Sequence, residues 1–285
     1  GLMEYATEFL QQQVVNFDFS PEVWQRQADL LMTQRRWNDL RALAVHVRAS
    51  ERIPPDLHGF AWFLEGIAQL QMADPGPARN AFARAVDFPP NDPLLTYRMA
   101  TWLGQNGQHE PSAALLRRLE TEFGGLAEYW LQVVGTAYQN RQFDVMRAAA
   151  ARGYELATNH PVFINNYAAA LLIERTNAPL AVQLTLRQLT MNPGNAGARL
   201  NHALALLQNG RLDDAQYELD GLDPNALDAY LRTVLKLGYF ELAARRKDPK
   251  AALEAYSGIE ARFLMPPQEH WVAETRQSLL AASKP

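Results

Sequence analysis

The side chains with catalytic or metal-binding potential are few and scattered. The six histidines are His46, His58, His109, His160, His202 and His270, and no two of them lie within four residues of each other. A metal needs several converging ligands, and a helix normally supplies two of them about four residues apart, so each histidine reads as a surface or turn residue. Asp213-Asp214 resembles a carboxylate pair, yet it stands at the start of a helical segment, where the helix dipole favours negative charge. Arg35-Arg36, Arg117-Arg118 and Arg245-Arg246-Lys247 read as solvated faces or helix ends. The sequence contains no glycine-rich phosphate loop, no zinc-protease histidine pair and no Gly-x-Ser-x-Gly elbow. It also has no cysteine, which excludes disulfides, thiol catalysis and cysteine-held metals. The expectation is a protein that is not an enzyme and has no catalytic residue, metal or cofactor.

The elements that would position a binding surface instead are helices. The chain has 285 residues, 48% hydrophobic and 20% charged, enough apolar material for a well-buried core. No apolar run approaches the roughly 18 residues of a membrane span. The net charge of −4 argues against a nucleic-acid partner, which calls for a basic excess. The start at Gly1-Leu2-Met3 leaves room for an upstream signal or anchor, so the compartment stays open between the cytoplasm and the cell envelope.

Turn signals recur at a period close to 34 residues. One series runs through Pro90, Gly124, Thr158 and Pro193. A second falls between its members, at Asp74-Pro75-Gly76, Asn106-Gly107-Gln108, Asn140-Arg141-Gln142, Thr176-Asn177-Ala178-Pro179 and Asn209-Gly210-Arg211. Glycine, proline and asparagine break helices, so each period divides into two segments of three or four helical turns. Ile164, Tyr167, Ala168 and Leu171 follow i, i+3, i+4, i+7 spacing, and no sustained period of two suggests strands. A helix pair of this length cannot bury its apolar faces alone and must stack on its neighbours.

Trp62, Gly66, Ala78, Phe82, Ala85 and Pro90 fit the spacing of the tetratricopeptide repeat, which the chain resembles. Trp24 with Ala28 opens an earlier copy and Trp130 a later one. Asn209 to Ala215 is similar to the family's turn into its second helix, and Leu237-Gly238 suggests a degenerate last copy. The resemblance implies an all-α, right-handed superhelical solenoid of stacked antiparallel helix pairs. About seven pairs are expected over residues 21–264, with a capping helix over 1–20 and another over 265–285. The extra residues with Pro54-Pro55 offset the first two copies, Leu222-Asp223-Pro224 shortens one second helix, and Asn225 to Arg246 reads as a long helix. Leu2 to Val14 reads as the front cap, the alternative being a membrane-near or dimerising helix.

In proteins that look like this one, first helices line a concave groove. The residue two places before the small position of each first helix gives Arg26, Leu64, Arg98, Gln132, Asn166 and Asn201. From Arg98 to Asn201 these form a polar ladder, and an amide can hold a peptide bond through both donor and acceptor. Phe63, Tyr97, Leu131, Asn165 and Arg199 are neighbouring groove candidates, although inter-repeat packing explains Phe63 and Tyr97 equally well. The resulting expectation is an adaptor or scaffold that binds a protein or peptide segment in the groove, with its oligomeric state open. The alternatives on the same fold are a cell-envelope assembly factor, or a lipid or glycan carrier with a pocket drawing on Trp102, Trp130 and Tyr138.

Overall fold

The computed structural model describes residues 21–282, together with Tyr5, Ala6, Glu8, Phe9 and Gln12. The remainder of the front helix expected over Leu2 to Val14 lies outside the described residues. The chain divides into two compact units, residues 1–123 and 124–285, each taken by itself below. There is no strand among the described residues, and none of their helices is long and apolar enough to cross a membrane.

The first unit contains α1 (Pro21–Thr33), α2 (Trp37–Ala49), α3 (His58–Gln71), α4 (Pro75–Asp87), α5 (Pro93–Gln105), α6 (His109–Arg118) and the single turn α7 (Glu120–Phe123). The second contains α8 (Ala127–Gln139), α9 (Phe143–Leu156), α10 (Pro161–Glu174), α11 (Ala178–Met191), α12 (Ala196–Gln208), α13 (Leu212–Asp220), α14 (Ala229–Arg245), α15 (Pro249–Tyr256) and α16 (Pro266–Ala282). Successive helices pair as α1/α2, α3/α4, α5/α6, α8/α9, α10/α11, α12/α13 and α14/α15. Within the second unit the first helices also touch one another, α10 against α12 and α12 against α14, so the pairs stack.

One backbone motif makes the turn inside all seven pairs. A residue just past the end of each first helix turns left-handed: Arg35, Ala73, Gly107, Arg141, Arg175, Gly210 and Lys247. The amide that follows it donates back to a carbonyl five residues earlier, as from Asp74 to Gln69 at 2.9 Å, Gln108 to Leu103 at 2.8 Å and Thr176 to Leu171 at 3.1 Å. This is the Schellman helix stop, which satisfies carbonyls the helix leaves open. Only two of the seven positions are glycine, so five side chains bear the left-handed strain. The starts are set by caps at some of the joints between pairs. Asp92 accepts from the Leu94 amide, Asn195 from Ala198 and Asp228 from Leu231.

Packing follows small-against-large logic. A Cβ on Gly66 would lie 2.4 Å from the Phe82 ring, so the glycine lets α3 and α4 close on each other. Ala100, Ala168 and Ala203 are fully buried, as are Phe82, Leu116 and Leu219 between helices. The first unit is threaded by rings in sequence, Trp24 to Phe60 at 5.5 Å, Phe60 to Phe63 at 5.9 Å and Phe63 to Trp102 at 5.4 Å. In the second a cluster running from Ile164 to Leu242 is mainly leucine and alanine. Helix α13 is short, as the Leu222-Asp223-Pro224 break implies. The long helix expected from Asn225 begins only at Ala229, because Pro224–Ala226 forms a separate 3-10 turn and Asp228 caps the helix proper.

His202 corrects the surface reading of the histidines. It is 6% exposed, and its Nδ1 lies 3.0 Å from the Thr185 hydroxyl. That hydroxyl donates to the Ala181 carbonyl at 2.7 Å, so Nδ1 carries the proton and donates to Thr185. Burial lowers the His202 pKa and keeps the ring neutral.

Candidate functional site

After α15 the chain turns back. The segment Ala261–Phe263 forms a 3-10 turn, and α16 packs on both α15 and α10. Met265, 2% exposed, enters the apolar cluster of Val134, Ala137, Phe143, Met146, Ala150 and Ile173. Two of the left-handed turn arginines fasten the return. Arg141 pairs with Glu269 at 2.8 Å, and the Arg175 guanidinium lies 3.9 Å over the Trp271 ring. Arg175 also donates to Glu241 at 3.0 Å, and Arg245 reaches the same carboxylate at 2.8 Å.

Between α8, α10 and this returning segment lies a cavity of about 810 Å³. Its apolar wall includes Leu131, Val134, Met146 and Ile173. Its polar lining includes Gln139, Asn165 and Asn166, and Tyr138, Tyr230, Arg262 and Phe263 complete it. The Tyr230 and Tyr138 hydroxyls pair with each other. Burial, then the Tyr138 contact, pushes the Tyr230 pKa up to about 12, and burial raises that of Tyr138. Tyr230 keeps 41% of its surface exposed, so it is the surroundings of its hydroxyl that hold the pKa high. Both phenols are neutral hydrogen-bonding groups at ordinary pH, not nucleophiles.

Three of the nine sequence-derived groove residues line this cavity: Leu131, Asn165 and Asn166. Asn201 stands behind them and donates from Nδ2 to the Asn165 Oδ1 at 3.1 Å, so one rung orients the next. Gln132 is half-buried on α8, beside this lining but outside it. Arg199 turns to the second helix of its own pair, with its Nε 2.9 Å from Glu218 and Nη1 donating to the Gly221 carbonyl. In the first unit Phe63 is 5% exposed and spent on core packing. Tyr97 is half-buried with its ring 5.0 Å from Phe123, and Arg98 is exposed. Of the three aromatics with pocket potential, Tyr138 reaches the cavity, while Trp130 donates to the Gly124 carbonyl and Trp102 packs on Phe63. Sequence reasoning misses Tyr230, Arg262, Phe263 and Gly135. The first three come from far along the chain, while Gly135 carries a signal: a glycine inside a helix, a full turn before the Asn140-Arg141 stop.

No protein-family model matches the sequence, and no curated protein does. Solved structures are similar in fold. A tetratricopeptide repeat protein from Parabacteroides merdae aligns over 91% of this chain and 98% of its own, at 11% identity and a TM-score of 0.53. The C-terminal part of a TPR repeat-containing protein from Cytophaga hutchinsonii covers 90% of this chain and 95% of its own, at 11% identity and a TM-score of 0.50. A structure of Naa15/Naa10 bound to HypK-THB matches over 98% of this chain but 49% of its own, at 11% identity and a TM-score of 0.51. With seven helix pairs among the described residues, one repeated turn and these likenesses together, the fold of the chain is that of the tetratricopeptide repeat proteins.

Proposed function

We propose that the chain is a protein-interaction scaffold that holds a segment of a partner polypeptide in the groove of its second unit. The observation that carries the reading is the cavity itself. It brings an apolar wall, Leu131 with Val134 and Ile173, beside the carboxamides of Asn165 and Asn166. An apolar wall gives affinity, and a carboxamide can meet a peptide bond as donor and acceptor together. A preformed helical frame lowers the ordering cost of binding. The similar Naa15/Naa10 structure is bound to HypK-THB, which supports partner holding as a use of this fold. The polar ladder enters the proposal as a graded set. Asn166 meets the partner, Asn201 orients Asn165, and Gln132 stands beside the lining on α8 as a lesser contributor, while Arg98 belongs to the first unit and takes no part in this groove.

Selection of a displayed peptide library on the intact chain tests this. Asn166→Ala should weaken the selected peptides about threefold to tenfold, the worth of one hydrogen bond, and Leu131→Asp should weaken them more. Both variants should melt with the parent. Equal affinity for parent and both variants would place binding elsewhere on the molecule.

A further inference from the structure

We infer that the cavity beside α8 is a socket for an uncharged, apolar stretch of a partner polypeptide, a few side chains long, and that Gly135 keeps it open. The inference deepens the groove reading and rests on it. Glycine inside a helix is unfavourable relative to alanine, so an interior glycine calls for a cause. Three others have one inside the chain. An added Cβ would lie 2.4 Å from Phe82 at Gly66, 2.6 Å from Phe163 at Gly153 and 2.8 Å from Leu219 at Gly238. At Gly135 the same Cβ meets nothing within 4 Å. The residue sits inside α8, one turn before its last residue Gln139, and its side lines the cavity. No helix packing and no turn requires glycine there, while a group from outside that approaches the backbone closely would.

The size, charge and rim of the cavity define that group. A volume of about 810 Å³ lies within the range of about 300–1,000 Å³ that takes drug-sized ligands, which is more than one side chain. Among the described residues no aspartate or glutamate lines it, and the cation that does, Arg262, is exposed and paired at 2.7 Å with Glu260 of its own segment. The lining is therefore matched to an electrically neutral occupant. The carboxamides of Gln139, Asn165 and Asn166 suit a peptide backbone and would be idle against an acyl chain. The chain's own polypeptide already uses this wall, with Met265 seated on Val134, Met146 and Ile173.

The test titrates the 285-residue chain with a labelled, end-capped Gly-Phe-Leu-Met-Gly peptide, whose centre copies Phe263-Leu264-Met265, and reads fluorescence anisotropy. A Gly-Asp-Leu-Asp-Gly peptide and a fluorescent acyl-chain probe run beside it. Expected are saturable binding of the apolar peptide, none of the acidic one, and a loss of about tenfold or more in Gly135→Leu. The melting temperature of Gly135→Leu and Gly135→Ala should equal or exceed the parent's. A lower melting temperature in Gly135→Ala would give the glycine a packing role and overturn the inference. So would an unchanged affinity in Gly135→Leu, an absence of saturable peptide binding, or binding of the acyl probe alone. Binding lost in Asn166→Ala but kept in Gly135→Leu removes the socket and leaves the groove. Binding kept in both removes both.

Discussion

Each unit buries a glutamate beneath an arginine that lies flat on a tryptophan, but the two clusters join different things. In the first unit Glu65 of α3 pairs with Arg48 from the end of α2, Gln69 donates to its Oε1 at 3.0 Å, and Arg48 lies 3.5 Å over Trp62. Everything there comes from two consecutive helices. In the second unit Glu241, 1% exposed, takes Arg245 from its own helix and Arg175 from a turn 66 positions earlier. Arg175 in turn covers Trp271 of the returning helix. The same chemistry thus staples neighbours in one unit and fastens a distant segment in the other. The second use holds the returning helix, whose preceding segment lines the cavity.

The comparison can be broken most directly at its two carboxylates. Glu241→Ala should cost about 3–5 kcal/mol, because a buried charge cluster loses its only anion and the returning helix its anchor. Denaturant unfolding of the chain measures it. Glu65→Ala should cost less, about 1–3 kcal/mol, since it releases one arginine from an adjacent helix where Glu241→Ala releases two and loosens the returning segment. Equal losses would mean the reach of the second cluster adds nothing. The left-handed turns sharpen the contrast. Ala73→Gly should stabilise by about 0.5–1 kcal/mol, by relieving the turn without losing a contact. Arg175→Gly makes the same backbone change yet should destabilise, because it also removes the arginine from Glu241 and Trp271. A gain in both would make the arginine's contacts incidental.

The smallest effect is a pH dependence confined to the second unit. The His202 pKa is lowered by burial, so the unfolded chain takes up the proton first. Stability is fully present above the ordinary histidine value of 6.5 and declines as pH falls through it toward the lower folded value. Melts at pH 7.5 and 5.5 should separate the parent from His202→Phe, with the parent losing more. Parallel losses would assign the pH response to other groups.

The repeat was legible because turn chemistry is local. The breaks at Asp74, Asn106, Asn140, Thr176 and Asn209 mark the stops that the backbone makes, and the spacing of Gly66 and Phe82 encodes a contact between adjacent helices. The site was legible only in part. Periodicity places a residue on a first helix but not on a particular side of it, so Asn165 and Asn166 reach the cavity while Arg199 turns to Glu218. Trp62 matches the repeat pattern well, yet it lies half-buried under Arg48 instead of filling the core. Nothing local announces the return of Met265 and Trp271 onto α10, because those contacts join segments far apart in the chain through a handful of side chains. Arg141 and Arg175 read locally as turn residues, and their second role depends on that return.

Arrays of repeats ordinarily hold only their nearest neighbours, so their ends can unravel one helix at a time. The tie from Arg175 to Glu241 and Trp271 changes that for the second unit. To peel α16 away, the chain must also uncover Met265 and strip a buried glutamate of its arginine, which strains α14 and the turn after α10 together. Amide exchange from α10 through α16 should therefore approach a single shared opening energy, a cooperative block in place of a fraying end. Such a block forms late, since its closing contacts wait on a long loop, and it would set the slow step in folding this half of the molecule.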